Sequence, residues 1–147
     1  MAVSRSQRMT VVLQLANRAE EAAVNALNDS RDNVERAREQ LEQISRYQQE
    51  YTRQLNAKTA GLSAQNMIND RRFLQQLGQA LSAQQQQILQ LQQAETGCLR
   101  NWQQCYQRRQ GIEKLIQSLK SAEDASAEKL LQKELDELSS LFRNRET

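Results

Sequence analysis

Apolar residues return along the chain at alternating steps of three and four through almost its whole length. One lattice runs Leu13, Ala16, Ala23, Leu27, Val34, Ala37, Leu41, Ile44, Tyr51, Leu55 and Leu62. A second runs Leu74, Leu77, Leu81, Ile88, Leu91, Cys98, Trp102, Cys105, Ile112, Ile116 and Leu119. Such a 3.5-residue period keeps one narrow seam facing a partner while two helices wind together. Between the lattices lies a short gap. Gly61, Ser63, Asn66, Asn69 and Asp70 in and around it are residue types suited to turns and helix caps. The pattern predicts an all-α fold, a long antiparallel two-helix coiled-coil hairpin, in a single domain covering residues 1–147. Helix 1 is expected over about 8–58, the turn over about 59–68 and helix 2 over about 69–120.

After Lys120 the lattice loses phase across Ser121-Ala-Glu-Asp-Ala-Ser126 and resumes with an offset at Leu131, Leu135, Leu138 and Phe142. This segment is either a hinge or a continuation of helix 2 on a shifted seam, to about residue 142. It has no counterpart on helix 1, so a C-terminal helical overhang is expected. Its leucines then either meet a binding partner or belong to a weakly ordered tail.

A register follows from folding the hairpin about residue 64. Leu55 then meets Leu74, Tyr51 meets Leu77, Leu41 meets Ile88, Leu27 meets Trp102 and Leu13 meets Ile116. Small residues face larger ones, as with Ala37 and Leu91 or Ala23 and Cys105. Two polar pairs also match, Lys58 with Asp70 and Glu20 with Arg109, and polar pairs in a seam select register at some cost in stability. Glu95 falls opposite Val34, where Arg31 or Arg38 can reach it.

Composition narrows the function classes. Of 147 residues none is proline or histidine, 38 % are hydrophobic, and the mean hydropathy is -0.84. That is too polar for a thick core but suits a pair of helices each burying a narrow stripe. The net charge of +2 comes from basic residues dispersed among acids, so no footprint for nucleic acid appears. No apolar run is long enough to cross a bilayer, and Gln14, Asn17 and Arg18 interrupt the one near the N-terminus, so a cytoplasmic protein is expected. Cys98 and Cys105 lie on one helical face about 10 Å apart, too far to bridge, and read as small core residues in a reducing compartment. Without histidine, glycine-rich loop or pocket there is no machinery for general base or phosphate chemistry. Neither enzyme activity, metal nor cofactor is expected.

The large residues that leave the seam are then the informative ones. Tyr47 is one position off it, as is Phe73, and Tyr51 lies one turn beyond Tyr47. Gln40 and Ile44 continue that stripe on helix 1, with Leu77, Ala80 and Gln84 across from it on helix 2. A patch holding two tyrosines and a phenylalanine is expected on one side near the turn. Aromatic residues of this kind anchor interfaces, and a two-helix fold has no third layer to cover them.

The run Tyr47-Gln-Gln-Glu-Tyr51, then Leu55-Asn56, Gly61, Ile68-Asn69, Phe73 and Leu77, with Trp102 beyond, resembles the flagellar FliJ family. Members of that family carry a similar Y-Q-x-E-Y, L-N, I-N and F-x-x-x-L order around their hairpin turn. The resemblance is most specific over residues 40–91 and weakest beyond 120. It implies a component of the flagellar type III protein export apparatus, a coiled coil similar to the stalk of rotary ATPases. Its implied partners are the hexameric export ATPase, the cytoplasmic domain of the large export-gate protein, and export chaperones. Through them it would sit peripherally at the inner face of the membrane. By position, the gate-binding surface would comprise Gln40, Ile44, Tyr47, Tyr51, Phe73, Leu77, Ala80 and Gln84. The terminal half near Leu13–Leu27 and Ile112–Leu119 would enter the ATPase ring. The alternatives are the equivalent stalk of a virulence-type secretion system and a structural coiled-coil spacer.

Overall fold

A computed structural model describes residues 3–57 and 64–146. They form two helices, α1 (Arg5–Ala57) and α2 (Ala64–Glu146), packed antiparallel, with no strand among the described residues. Good helix formers dominate both, and no proline interrupts them. Helix α2 runs on through 121–126 and reaches Glu146, so the phase shift there is a turning of the apolar seam around one continuous helix. Asn66, Asn69 and Asp70, with the character of turn residues, lie inside the first turns of α2, which starts at Ala64. Gly61, Leu62, Ser63 and Lys58 lie outside the described residues.

Helix α1 begins at Arg5, ahead of the sequence expectation, because Ser4 and Gln7 cap it reciprocally. The Gln7 N–H donates to Ser4 Oγ at 3.2 Å and the Ser4 N–H donates to Gln7 Oε1 at 3.3 Å, satisfying two of the donors that a helix start leaves open. At the other extreme, Arg143 and Arg145 in the last turn of α2 complement the negative end of its dipole.

Contacts divide the chain into two compact units, residues 1–22 with 103–147, and Ala23–Trp102. In the first, Ala16 and Ile116 are buried between the helices. Arg109 donates through Nε to Glu20, as the sequence register expects, and its Nη1 lies 3.0 Å from Glu113 Oε1. Its guanidinium carbon also lies 5.2 Å from the centre of the Tyr106 ring. The Glu20 hydrogen bond, more than the Glu113 contact, raises the Arg109 pKa further above its usual value.

The same unit is fastened at the start of α1. The carboxylate of Glu123 accepts the Ser6 N–H at 3.1 Å and the Ser6 hydroxyl at 2.7 Å, and Ser6 is buried beneath it. A negative group at a helix N-terminus is favoured by the open N–H donors and the dipole. The two bonds from Ser6 hold the Glu123 carboxyl below its usual range. A carboxyl whose pKa is lower in the folded state stabilises that state above its unfolded pKa, and the contribution is lost as pH falls through the folded value. Hydrogen exchange at the Ser6 amide is therefore expected to be slow at neutral pH and to lose that protection to acid only below the ordinary carboxylate range. Glu123→Gln should leave that amide poorly protected at neutral pH, with the interior of α1 unchanged; equal protection in both proteins would rule the latch out.

In the second unit Ala23, Leu27, Val34, Ala37 and Ile88 are the buried apolar residues, with Ser30 buried among them. Alanine and serine at three of these seam positions allow the helices to approach closely. Arg31, not Arg38, reaches Glu95, with Nε 3.5 Å from Oε1. Cys98, here, and Cys105, in the first unit, are free and half-buried rather than fully buried.

The register of this second unit differs from the one read off the sequence. Gln84 is expected opposite Ile44, yet its Nε2 donates to the Ala37 carbonyl at 3.0 Å and to Gln40 Oε1 at 3.1 Å. Ala37 is seven residues, roughly 10 Å, from Ile44 along the helix, farther than one glutamine side chain spans. Asp70 takes a hydrogen bond from Tyr51, and its expected partner Lys58 lies outside the described residues. The helix ends explain the shift. With α1 ending at Ala57 and α2 starting at Ala64, the fold-back centres a few residues before position 64. Moving it that far slides the pairing by about one heptad, and a seven-residue lattice fits both alignments.

Candidate partner-binding surface

Within the second unit, α1 and α2 bring three aromatic rings together. Tyr51 and Phe73 meet edge to face with centroids 4.7 Å apart, and Tyr47 and Phe73 do so at 6.1 Å. Tyr47 and Tyr51, one turn apart on α1, stack at 6.5 Å. These separations and tilts suit the ring quadrupoles. The rings differ in exposure: Tyr51 and Phe73 are half-buried, while Tyr47 is 51 % exposed. The off-seam position of Tyr47 is the reason, since with two helices nothing lies above it.

Asp70, on the first turns of α2, fixes the cluster. The Tyr51 hydroxyl donates to its Oδ1 at 2.7 Å. That hydrogen bond, with desolvation and the carboxylate charge adding to it, raises the Tyr51 pKa above the usual phenol value. Asp70→Asn should bring the Tyr51 titration down, read as tyrosinate absorbance on raising pH; an unchanged curve would mean that the contact does not form in solution.

Gln40 and Gln84 are joined by their hydrogen bond, Ile44 and Leu77 are half-buried, and Ala80 is exposed. Sequence reasoning missed the role of Asp70 because it paired that residue with Lys58. Met67 and Ile68, 48 % and 53 % exposed on the opening turns of α2, were not among the expected surface residues, although Ile68 stands in the motif that carries the resemblance. Their apolar character within a polar stretch was the available signal. Tyr47, Met67 and Ile68 are thus large aromatic or aliphatic side chains open to solvent, the residue kind that is enriched as anchors at interfaces. Among the described residues no cluster of three or more His, Cys, Asp and Glu side chains is placed to hold a metal, and no helix is long and apolar enough to cross a membrane.

The chain is 30 % identical over 132 residues to the flagellar FliJ protein of Escherichia coli (strain K12), covering 89 % of this chain and 90 % of the relative. It is 29 % identical over 126 residues to the flagellar FliJ protein of Salmonella typhi, covering 85 % of this chain and 86 % of that one. No solved structure matches it. Residues 5–147 match the profile described as "Flagellar FliJ protein", and with that match spanning nearly its whole length the chain belongs to the FliJ family.

Proposed function

We propose that the chain is a non-enzymatic coupling stalk of the flagellar type III export apparatus, linking the export ATPase ring to the export gate and assisting export chaperones. The observation that carries this reading is the ring cluster of Tyr47, Tyr51 and Phe73. Of these rings Tyr47 is open to solvent, on a two-helix surface in a chain of a flagellar family. In this reading Gln40, Ile44, Tyr47, Tyr51, Phe73, Leu77, Ala80 and Gln84 bind the cytoplasmic domain of the gate protein. The terminal half near Leu13–Leu27 and Ile112–Leu119 enters the ATPase hexamer, and the protein is held at the inner face of the membrane by these partners. The flagellar names of the relatives favour this over the virulence-type stalk. The test is a pull-down of purified ATPase and purified gate domain by the full chain. Capture of both supports the coupling role, and capture of neither removes it.

A further inference from the structure

The hydrogen bonds between the helices follow two alignments. In the second unit, Tyr51 with Asp70 and Ala37 with Gln84 both match a fold-back about residue 60. In the first unit, Glu20 with Arg109 and Ser6 with Glu123 both match one about residue 64. Moving the fold-back by about four residues moves the pairing by about one heptad, the smallest displacement that returns seam positions to seam positions. The lean of side chains does not create the difference. In an antiparallel pair it displaces the contacts of both units in the same sense, and Ser6 takes part through its backbone N–H. The start of α2 carries a second sign. Asn66, Asn69 and Asp70 have the character of cap residues yet lie inside its first turns. They suit an α2 that begins a few residues later, which a fold-back about residue 64 requires.

We propose that the second unit is a two-register switch, in which α2 slides along α1 by one heptad, roughly 10 Å, between the alignment of the structure and the one that the first unit already follows. The seam accepts both. Leu41 stands level with Leu81 in one and with Ile88 in the other, and Gln48 level with Leu74 or with Leu81. Polar contacts make the choice. The Tyr51–Asp70 bond and the bonds from Gln84 to Ala37 and Gln40 exist only in the alignment of the structure. So does the ring cluster. The slide carries Phe73 past Tyr51, after which the two side chains lean apart, and about two turns away from Tyr47. A surface built on the three rings is therefore assembled in one register and taken apart in the other. The switch goes beyond the coupling role and does not depend on it.

Disulfide trapping reads both registers in the full chain. With the free Cys98 and Cys105 replaced by serine, Gln48→Cys is paired either with Leu74→Cys or with Leu81→Cys. The two partners lie roughly 10 Å apart on α2, and a bridge needs Cα atoms within about 7 Å, so each bridge reports one register. Both should form under mild oxidation, the Leu74 bridge faster. Adding Asp70→Ala and Gln84→Ala removes the bonds that hold the observed alignment. It should raise the rate of the Leu81 bridge relative to the Leu74 bridge about tenfold or more. Gln48→Cys with Gln76→Cys, an exposed position between the two but off the seam, should form no bridge and controls for fraying. If the Gln48 variants lose helicity, Leu41→Cys with Leu81→Cys or with Ile88→Cys gives the same comparison. One bridge alone in the chain that keeps Asp70 and Gln84 overturns the proposal. So does an unchanged ratio when those two are replaced, or a Gln76 bridge as fast as the others.

Discussion

Replacing Tyr47 and Tyr51 together by alanine is expected to weaken binding to the gate's cytoplasmic domain about 30-fold or more, because aromatic anchors dominate interface energetics. The two rings contribute differently. Tyr47 is half open to solvent, with its ring against those of Tyr51 and Phe73. Tyr47→Ala should therefore reduce gate affinity while leaving helicity and unfolding almost unchanged. Tyr51 packs closest to Phe73 and is held by Asp70, so Tyr51→Ala also loosens the platform on which Tyr47 rests. Affinity for the ATPase should survive both changes, since its proposed contacts involve Leu13–Leu27 and Ile112–Leu119. Titration calorimetry of each folded variant against the gate domain and the ATPase reads both arms. Unchanged gate affinity in Tyr47→Ala would remove the patch from the binding surface.

The helices were legible because a 3.5-residue lattice has one reading over many turns. Leu27, Val34, Ala37, Ile88 and Ile116, all lattice members, are buried. The aromatic cluster was legible for the complementary reason. Large residues just off the lattice, such as Tyr47 and Phe73, fall to the side of a two-helix seam, where Tyr47 stays open and Phe73 half-covers itself against Tyr51. Register was less legible, because sliding one helix by a heptad returns apolar positions to apolar positions. Only polar contacts break that degeneracy, and long side chains blur it. Glu20 and Arg109 each lean toward the N-terminus of their own helix, and so toward one another in an antiparallel pair. They meet without fixing which backbone atoms are level. The Ser6–Glu123 latch was not read, although a fold-back about residue 64 sets the two level. A glutamate at a seam position after Leu119 reads as a solvated charge until the start of α1 is seen to lie against it. By contrast the Ser4-Arg-Ser-Gln7 capping box stood in the sequence, and reading it would have placed the start of α1 at Arg5.

Leu27→Ala is expected to destabilise the pair of helices by about 2–3 kcal/mol, within the range for leucine truncations in cores. Leu27 is only 6 % exposed, and its seam neighbours Ala23 and Val34 are buried at 3 % each. Ala23 is already small, and a seam two helices wide has few large side chains able to move into the space left behind. Against a total stability typically on the order of 5–15 kcal/mol, that is a large share. Leu138→Ala, at a site 52 % exposed, removes the same atoms and should cost about 0.5 kcal/mol or less. Urea unfolding followed by circular dichroism compares the two directly. A clearly lowered midpoint for Leu27→Ala beside a nearly unchanged one for Leu138→Ala locates the stabilising contacts in the seam. Equal midpoints would mean that the two helices do not hold one another through these residues, and the hairpin itself would have to be given up.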